Sequence, residues 1–207
     1  MRYEIVNGLP DQLRPEAALL YWQAFRTKLG KVLGPKAKAL AFLRQDLNGV
    51  HCVIAKDSQG QLLGLAGFQT SHGSFSPGQF ALLCAVYGRF GAAWRRRFFY
   101  LLRNQNPAAA SFMVDTIAVD PQMQRQGIGA ALLEGLCELA LSMGHAHIAL
   151  DVDLGNLAAQ RLYARHGFLK LEVQNLGILG WILGVQKTLV MRRNLLSQMP
   201  LEPDQQA

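Results

Sequence analysis

Apolar residues change period several times along this chain, and each change marks an element. The run Tyr3-Glu4-Ile5-Val6 reads as a first strand, closed by the turn residues Leu9-Pro10-Asp11. From Pro15 the spacing lengthens: Leu19, Trp22 and Phe25, widened by Tyr21 and Leu29, predict a helix. Gly34-Pro35 interrupts it, and residues 36–47 predict a second, shorter helix. Two strand-like runs, 51–57 and 61–70, flank Ser58-Gln59-Gly60 and predict an antiparallel hairpin.

Residues 71–110 read as an insertion. Loop chemistry in "SHGSFSPG" precedes a helical stripe of Phe80, Leu83, Tyr87, Phe90, Trp94, Phe98 and Leu101, with Arg89, Arg96 and Arg103 on another face and a bend expected at Gly88 or Gly91. So large an apolar stripe is expected to be buried, foremost between subunits of a homo-oligomer, with a lid or a membrane-surface contact as other uses. A strand over 111–120 ends at Pro121. After Gly129 one buried helix face is marked by Leu132, Leu133, Leu136, Cys137 and Ala140, and Gly144 stops the helix. A strand over 146–154, a helix over 156–167 with Asn156 as N-cap, and a strand over 168–173 follow. A glycine-punctuated segment, 175–184, leads to a last strand over 186–193. Residues 197–207 carry too little apolar content to fold and read as a flexible tail.

A length of 207 residues supports one sizeable core, so residues 1–196 are expected to form a single domain. The net charge of +7 favours an anionic partner without choosing one. Arg95-Arg96-Arg97, the one tight basic run, is embedded among aromatics and reads as a solvated helix face; basic residues are too little interleaved for a nucleic-acid binder. No apolar run approaches the ~18 residues of a spanning helix, and the N-terminus lacks a signal-peptide core, so a cytoplasmic protein is expected. Cys52, Cys84 and Cys137 lack metal-ligand spacing and fit a reduced compartment. His145 and His147 share a strand face without further ligands, so no metal is expected. His51, His72 and His166 read as isolated.

The chemistry concentrates after the 111–120 strand. In "QRQGIGAALLEGL" glycines open a helix, where unpaired N–H groups and the dipole favour a phosphate. Gly127 and Gly129 begin a dinucleotide fingerprint, and Asp151 and Asp153 lie near the distance of a ribose-binding acid, but Leu132 stands where the third glycine belongs. A nicotinamide enzyme therefore remains a competing reading. A second constellation follows about 30 residues downstream: Asn156, Ala159, Leu162, Tyr163, Gly167 and Phe168. Read together with Gln124-x-x-Gly127-x-Gly129, it closely resembles the GNAT superfamily of N-acetyltransferases.

That resemblance implies a single mixed, mostly antiparallel sheet flanked by helices, an α/β (α+β) fold, with acetyl-CoA as acyl donor to an amine acceptor. It implies that main-chain groups of Gln124, Arg125, Gln126, Gly127, Ile128, Gly129 and Ala130 hold the pyrophosphate, and that Ile117, Ala118 and Val119 run beside the pantetheine. Asn156 would hydrogen-bond the cofactor, and Tyr163 would protonate the departing sulfur. Many members carry Glu at the position of Met113. Strand alternation places Met113, Asp115 and Ile117 on one face, so Asp115 is the candidate base, directly or through water. It could equally be a strand-end carboxylate binding a backbone group or a cation. The acceptor would lie between the first helix pair and the loop before the last strand, where Tyr21, Trp22, Phe25 and Trp181 offer either an apolar pocket or core packing. A noncatalytic CoA-binding sensor is the remaining alternative.

Overall fold

The computed structural model describes residues 2–103, 112–177, 180 and 184–196. Strands β1 (Tyr3–Asn7), β2 (Cys52–Asp57), β3 (Leu62–Thr70), β5 (Phe112–Val119), β6 (His147–Asp153), β7 (Leu169–Asn175) and β8 (Lys187–Asn194) form one sheet in the order β1-β2-β3-β5-β6-β8-β7. A two-residue strand inside the predicted loop, β4 (Gly73–Ser74), pairs with the end of β3. Neighbours are antiparallel except β5 and β6. This is the mixed, mostly antiparallel α/β sheet expected.

Helices α1 (Arg14–Leu33), α2 (Lys36–Asp46) and α3 (Phe80–Arg103) share one buried cluster, in which Trp22, Phe42 and Leu83 meet Leu65 and Ala118 of the sheet. Helix α4 (Ile128–Ser142) and the opposite face of the sheet form a second cluster, in which Leu132 and Leu136 join Val53, Leu63, Ile148 and Met191. The short helix α5 (Leu157–Arg165) reaches that second cluster through Ala159 and Tyr163. The buried residues of α1 are Ala17, Ala18, Leu20, Trp22, Leu29, Val32 and Leu33, with Leu19 turned to solvent. Two alanines let the helix approach its neighbours closely, a role that counting large apolar residues passes over.

The predicted stripe of α3 is corrected by Gly88, whose φ of 72° and ψ of 166° break the helix in the middle. The kink shifts the helical phase. Leu83 is buried before it and Ala92, Phe98 and Phe99 after it, while Phe90, in line with the first half, is 95% exposed. The inward side of α3 is buried within this chain, against α1 and α2. Tyr87 donates its hydroxyl to the Leu33 carbonyl at 2.6 Å, and Arg95 Nε donates to the Val32 carbonyl at 2.7 Å. Both carbonyls belong to the last turn of α1, which has no intrahelical donors for them. The Arg95 guanidinium, 3.8 Å from the Tyr87 ring centre, also places a cation at the negative end of the α1 dipole.

Asp46, the last residue of α2, fixes the segment that leads into α3. Its buried carboxylate accepts from Ser76 Oγ at 2.8 Å and from the backbone N–H groups of Gly78 and Gln79 at 3.1 and 2.8 Å. Burial raises the Asp46 pKa, and the three donors oppose that rise.

Candidate active site

Strands β5 and β6 pair at Met113↔Ala149 and Val114↔Leu150 only, and then part. On its other side β5 follows β3 with a register shift: Gly67 faces Thr116 and Phe68 faces Val114, so Asp115 is the extra residue of a bulge. The bulge resets the alternation. Phe112 and Val114 belong to the α4-side cluster, and after the bulge Ile117 and Val119 pack there, whereas Ala118 joins the α1-side cluster. The expectation that Met113, Asp115 and Ile117 share a face is therefore corrected: an inserted residue breaks the two-residue period, and Ile117 lies on the opposite side from Met113.

Asp115 is exposed, and its charge reaches Tyr21 of α1. Burial raises the Tyr21 pKa well above the ordinary phenol value, the charges of Asp115 and Asp46 add to the rise, and a side-chain hydrogen bond with Thr116 opposes it. Tyr21 thus stays protonated at neutral pH. It packs against Phe25 at 5.1 Å and Phe75 at 5.9 Å between ring centres. Trp22 is a core residue at 7% exposure, and Trp181 lies outside the described residues. A 630 Å³ recess opens between the end of β3 and α3, lined by Gln69, Ser71, Phe80, Arg96 and Tyr100 among others. Gln69 pairs with Met113, so the recess adjoins the strand that carries Asp115.

On the other side of the sheet, β5 runs into a tight turn. Asp120 donates its N–H to the Leu63 carbonyl at 2.9 Å and accepts from the Gln122 N–H at 2.8 Å, starting a single 3-10 turn over Pro121–Met123. Gln124 Nε2 reaches back to the Val119 carbonyl at 3.4 Å. Arg125 then adopts φ 63°, a left-handed conformation costly for a residue with a side chain, and Gly127 adopts φ 82°. Gly127 is the N-cap of α4 and no side chain caps the helix. The first-turn N–H groups of Ile128, Gly129 and Ala130 have no intrahelical acceptors, and residues 124–127 leading to them are exposed. Leu132, where a dinucleotide fingerprint needs glycine, is fully buried.

Asn156 caps α5 as expected, its Oδ1 accepting from the Ala159 N–H at 3.1 Å. That engages the carbonyl oxygen and leaves the amide group to carry its remaining donors. Tyr163, two turns on, packs against Phe168 at 6.1 Å between ring centres and against the second core cluster. Burial raises its pKa, and among the described residues its hydroxyl has no hydrogen-bond partner.

Glu134 and Arg193, not singled out in the sequence, hold α5 in place together with His166. Glu134 Oε1 of α4 lies 2.6 Å from His166 Nδ1 and accepts from the Arg193 guanidinium of β8 at 2.8 Å. His166, read as isolated, thus ties the end of α5 to α4 one turn beyond Tyr163; no motif links residues 134, 166 and 193. His51 is likewise engaged, 3.0 Å from Asn48 Nδ2 through Nδ1 and packed on Phe68. Burial of Glu134 opposes its ionisation, yet the hydrogen bonds from Arg193 and His166 prevail and lower its pKa below 4.5. A lowered folded pKa gives stability that is complete above the unfolded value and lost as pH falls through the folded one. Denaturant midpoints should therefore drop on acidification below pH about 4, and less steeply in Glu134→Gln.

A mixed, mostly antiparallel sheet with a glycine-opened helix after β5 is the arrangement that the resemblance to the N-acetyltransferases implies. Residues 17–168 match the acetyltransferase (GNAT) family, and the chain belongs to that family. A 58-residue segment is 45% identical to the [ribosomal protein bS18]-alanine N-acetyltransferase of Escherichia coli strain K12, covering 28% of this chain and 39% of that relative. The chain thus aligns with about two fifths of the curated relative's length. The fold is shared with the crystal structures of an acetyltransferase (TM-score 0.64, 17% identity, 93% of this chain and 99% of that one) and of arylalkylamine N-acetyltransferase 2 from Aedes aegypti (0.60, 17%, 94% and 100%). It is also shared with the ribosomal-protein-S18-alanine N-acetyltransferase of Escherichia coli (0.54, 18%, 100% and 99%).

Proposed function

We propose that the protein is an N-acetyltransferase that moves an acetyl group from acetyl-CoA to an amine by direct attack in a ternary complex. The observation that carries this reading is the parting of β5 from β6 beside the uncapped start of α4. The first turn of α4, reached past the exposed residues 124–127, suits a pyrophosphate, since its N–H groups and dipole end both favour an anion. The main chain of residues 117–119, released from β6, suits an extended amide-bearing arm that completes its hydrogen bonds. Acetyl-CoA, when bound, supplies the thioester carbon and the sulfur leaving group.

The side chains divide the remaining work between the two faces of the sheet. On the α1 side, Asp115 takes a proton from the acceptor's ammonium group, directly or through water, and so frees the nucleophilic lone pair. Tyr21 and Phe25 give that side an aromatic wall, and the recess under α3 gives the acceptor room. On the α4 side, Tyr163 donates its proton to the departing sulfur; its phenol is protonated at neutral pH, although burial raises its pKa and so weakens it as an acid. A cytosolic setting supplies acetyl-CoA and agrees with the free thiols of Cys52, Cys84 and Cys137.

Thiol release from acetyl-CoA with a panel of primary amines tests the reading, alongside a thermal shift by acetyl-CoA that NAD does not reproduce. Asp115→Asn should lower turnover about 10²-fold and flatten the acidic limb of the kcat/KM profile, because an amide has no proton to lose or gain there. A profile unchanged by the substitution would transfer proton removal to water or to the acceptor's own ionisation.

A further inference from the structure

Beyond its kink, α3 turns a face to solvent that no other described residue covers. Phe90 is 95% exposed, Tyr100 66% and Trp94 45%. Phe90 and Trp94 are four residues apart and therefore neighbours on the helix surface. Exposed Arg89 and Arg97 border them, and exposed Arg96 lies 5.1 Å over the Phe80 ring on the flank. The inward side is already occupied, with Ala92, Phe98 and Phe99 in the core and Arg95 bonded to α1.

The charge of this face is one-sided. From Ser58 through Val114 the sequence carries five arginines and not one Asp or Glu. Asp46, the carboxylate at the start of α3, is buried and bonded to Ser76, Gly78 and Gln79.

That charge chooses the occupant. In a two-fold contact each patch meets its own copy, so Arg89 and Arg97 would face like charges with no insertion acid to offset them. A single-stranded nucleic acid is bound by a basic groove whose aromatic platforms stack successive bases, whereas Phe90 and Trp94 stand on the outer face of one helix, outside the recess that Phe80, Arg96 and Tyr100 line on its flank. An anionic bilayer supplies what this face lacks: a boundary layer where exposed rings leave water, and phosphates at the height the bordering guanidinium groups reach.

We propose that the outer face of α3 docks the protein on an anionic phospholipid surface, with Phe90 and Trp94 entering the headgroup boundary and Arg89, Arg96 and Arg97 on lipid phosphates. The contact is peripheral; among the described residues no helix is long and apolar enough to cross a membrane. It does not depend on acetyl transfer, and its test requires no turnover.

The test is co-sedimentation of the full chain with vesicles of phosphatidylglycerol in phosphatidylcholine, against vesicles of phosphatidylcholine alone. Binding should require the anionic lipid and weaken with added salt, and each Arg→Gln change at 89, 96 or 97 should weaken partitioning about 5-fold. Phe90→Ser with Trp94→Ser should weaken it at least about 10-fold. Both positions are solvent-facing, so circular dichroism and the melting temperature should match wild type. Absence of binding to the anionic vesicles, or equal binding to both vesicle types, overturns the proposal. So does a dimer in light scattering that Phe90→Ser dissolves, which would assign the face to a second copy. Salt-sensitive binding to single-stranded polyuridylate, lost in the same variants while vesicles leave the protein unbound, would assign it to nucleic acid.

Discussion

Tyr163→Phe should lower turnover by about 10²- to 10⁴-fold while leaving acetyl-CoA affinity and stability close to wild type. The substitution keeps the ring on Phe168 and on the α4-side core, and removes only a hydroxyl that no described residue engages. No buried partner is left unsatisfied, so the usual cost of breaking a hydrogen bond does not arise. What disappears is one proton donor held at the end of a helix that Glu134 and His166 fix to α4. Thiol-release kinetics combined with equilibrium binding of acetyl-CoA measures both quantities. Equal turnover by the two proteins would take Tyr163 out of the mechanism. Tight acetyl-CoA binding without thiol release by the wild type, across the amine panel, would favour a noncatalytic sensor.

Gly129→Val should weaken acetyl-CoA binding by about 10²-fold or more with little change in folding. A β-carbon at Gly129 would sit 3.8 Å from Val119 Cγ2, an ordinary contact, and its backbone is not in the left-handed region. The backbone accepts a β-carbon there, whereas a pyrophosphate held on the first turn of α4, as proposed, would meet the branched side chain. Losing two charge-assisted N–H contacts, at about 1.5–3 kcal/mol each, sets that size. Gly127 is the wrong position for this experiment, because its φ of 82° makes any side chain costly for the fold itself. Calorimetric titration with acetyl-CoA beside a urea melt separates the two effects. Unchanged affinity in a folded Gly129→Val protein would remove the first turn of α4 from the binding site.

Local features were legible in the sequence because their causes are local. The hairpin of β2 and β3, the stop at Gly144 and the Asn156 cap each follow from a few adjacent residues, and the structure places them as read. The bulge at Asp115 was not legible, since a strand's period reveals an inserted residue only against its partner, and the partner Gly67-Phe68 lies nearly 50 residues earlier. Phe90 misled for a related reason: a stripe drawn through Gly88 assumes a straight helix, and glycine permits the turn that rotates the second half. The Glu134–His166–Arg193 cluster joins three elements that only the folded sheet brings together. The two sequence motifs coincide with the left-handed turn at Arg125 and Gly127 and with the Asn156 cap, both set by nearby residues, while Tyr21 and Phe25 are placed by long-range packing that no motif records.

Helix α3 and the segment leading into it are tied to α1 and α2 by side-chain hydrogen bonds. An appended segment can be excised, leaving a smaller protein; this one cannot, because removing 71–110 would uncover Phe42, strip the last-turn carbonyls of α1 of Tyr87 and Arg95, and orphan the Asp46 carboxylate. Helices α1, α2 and α3 should instead open as one cooperative unit, with slow amide exchange in the closing turn of α1 appearing and disappearing together with that of α3. A fragment trimmed of α3 is therefore expected to lose the fold of α1 and α2 with it, which circular dichroism of that fragment would show.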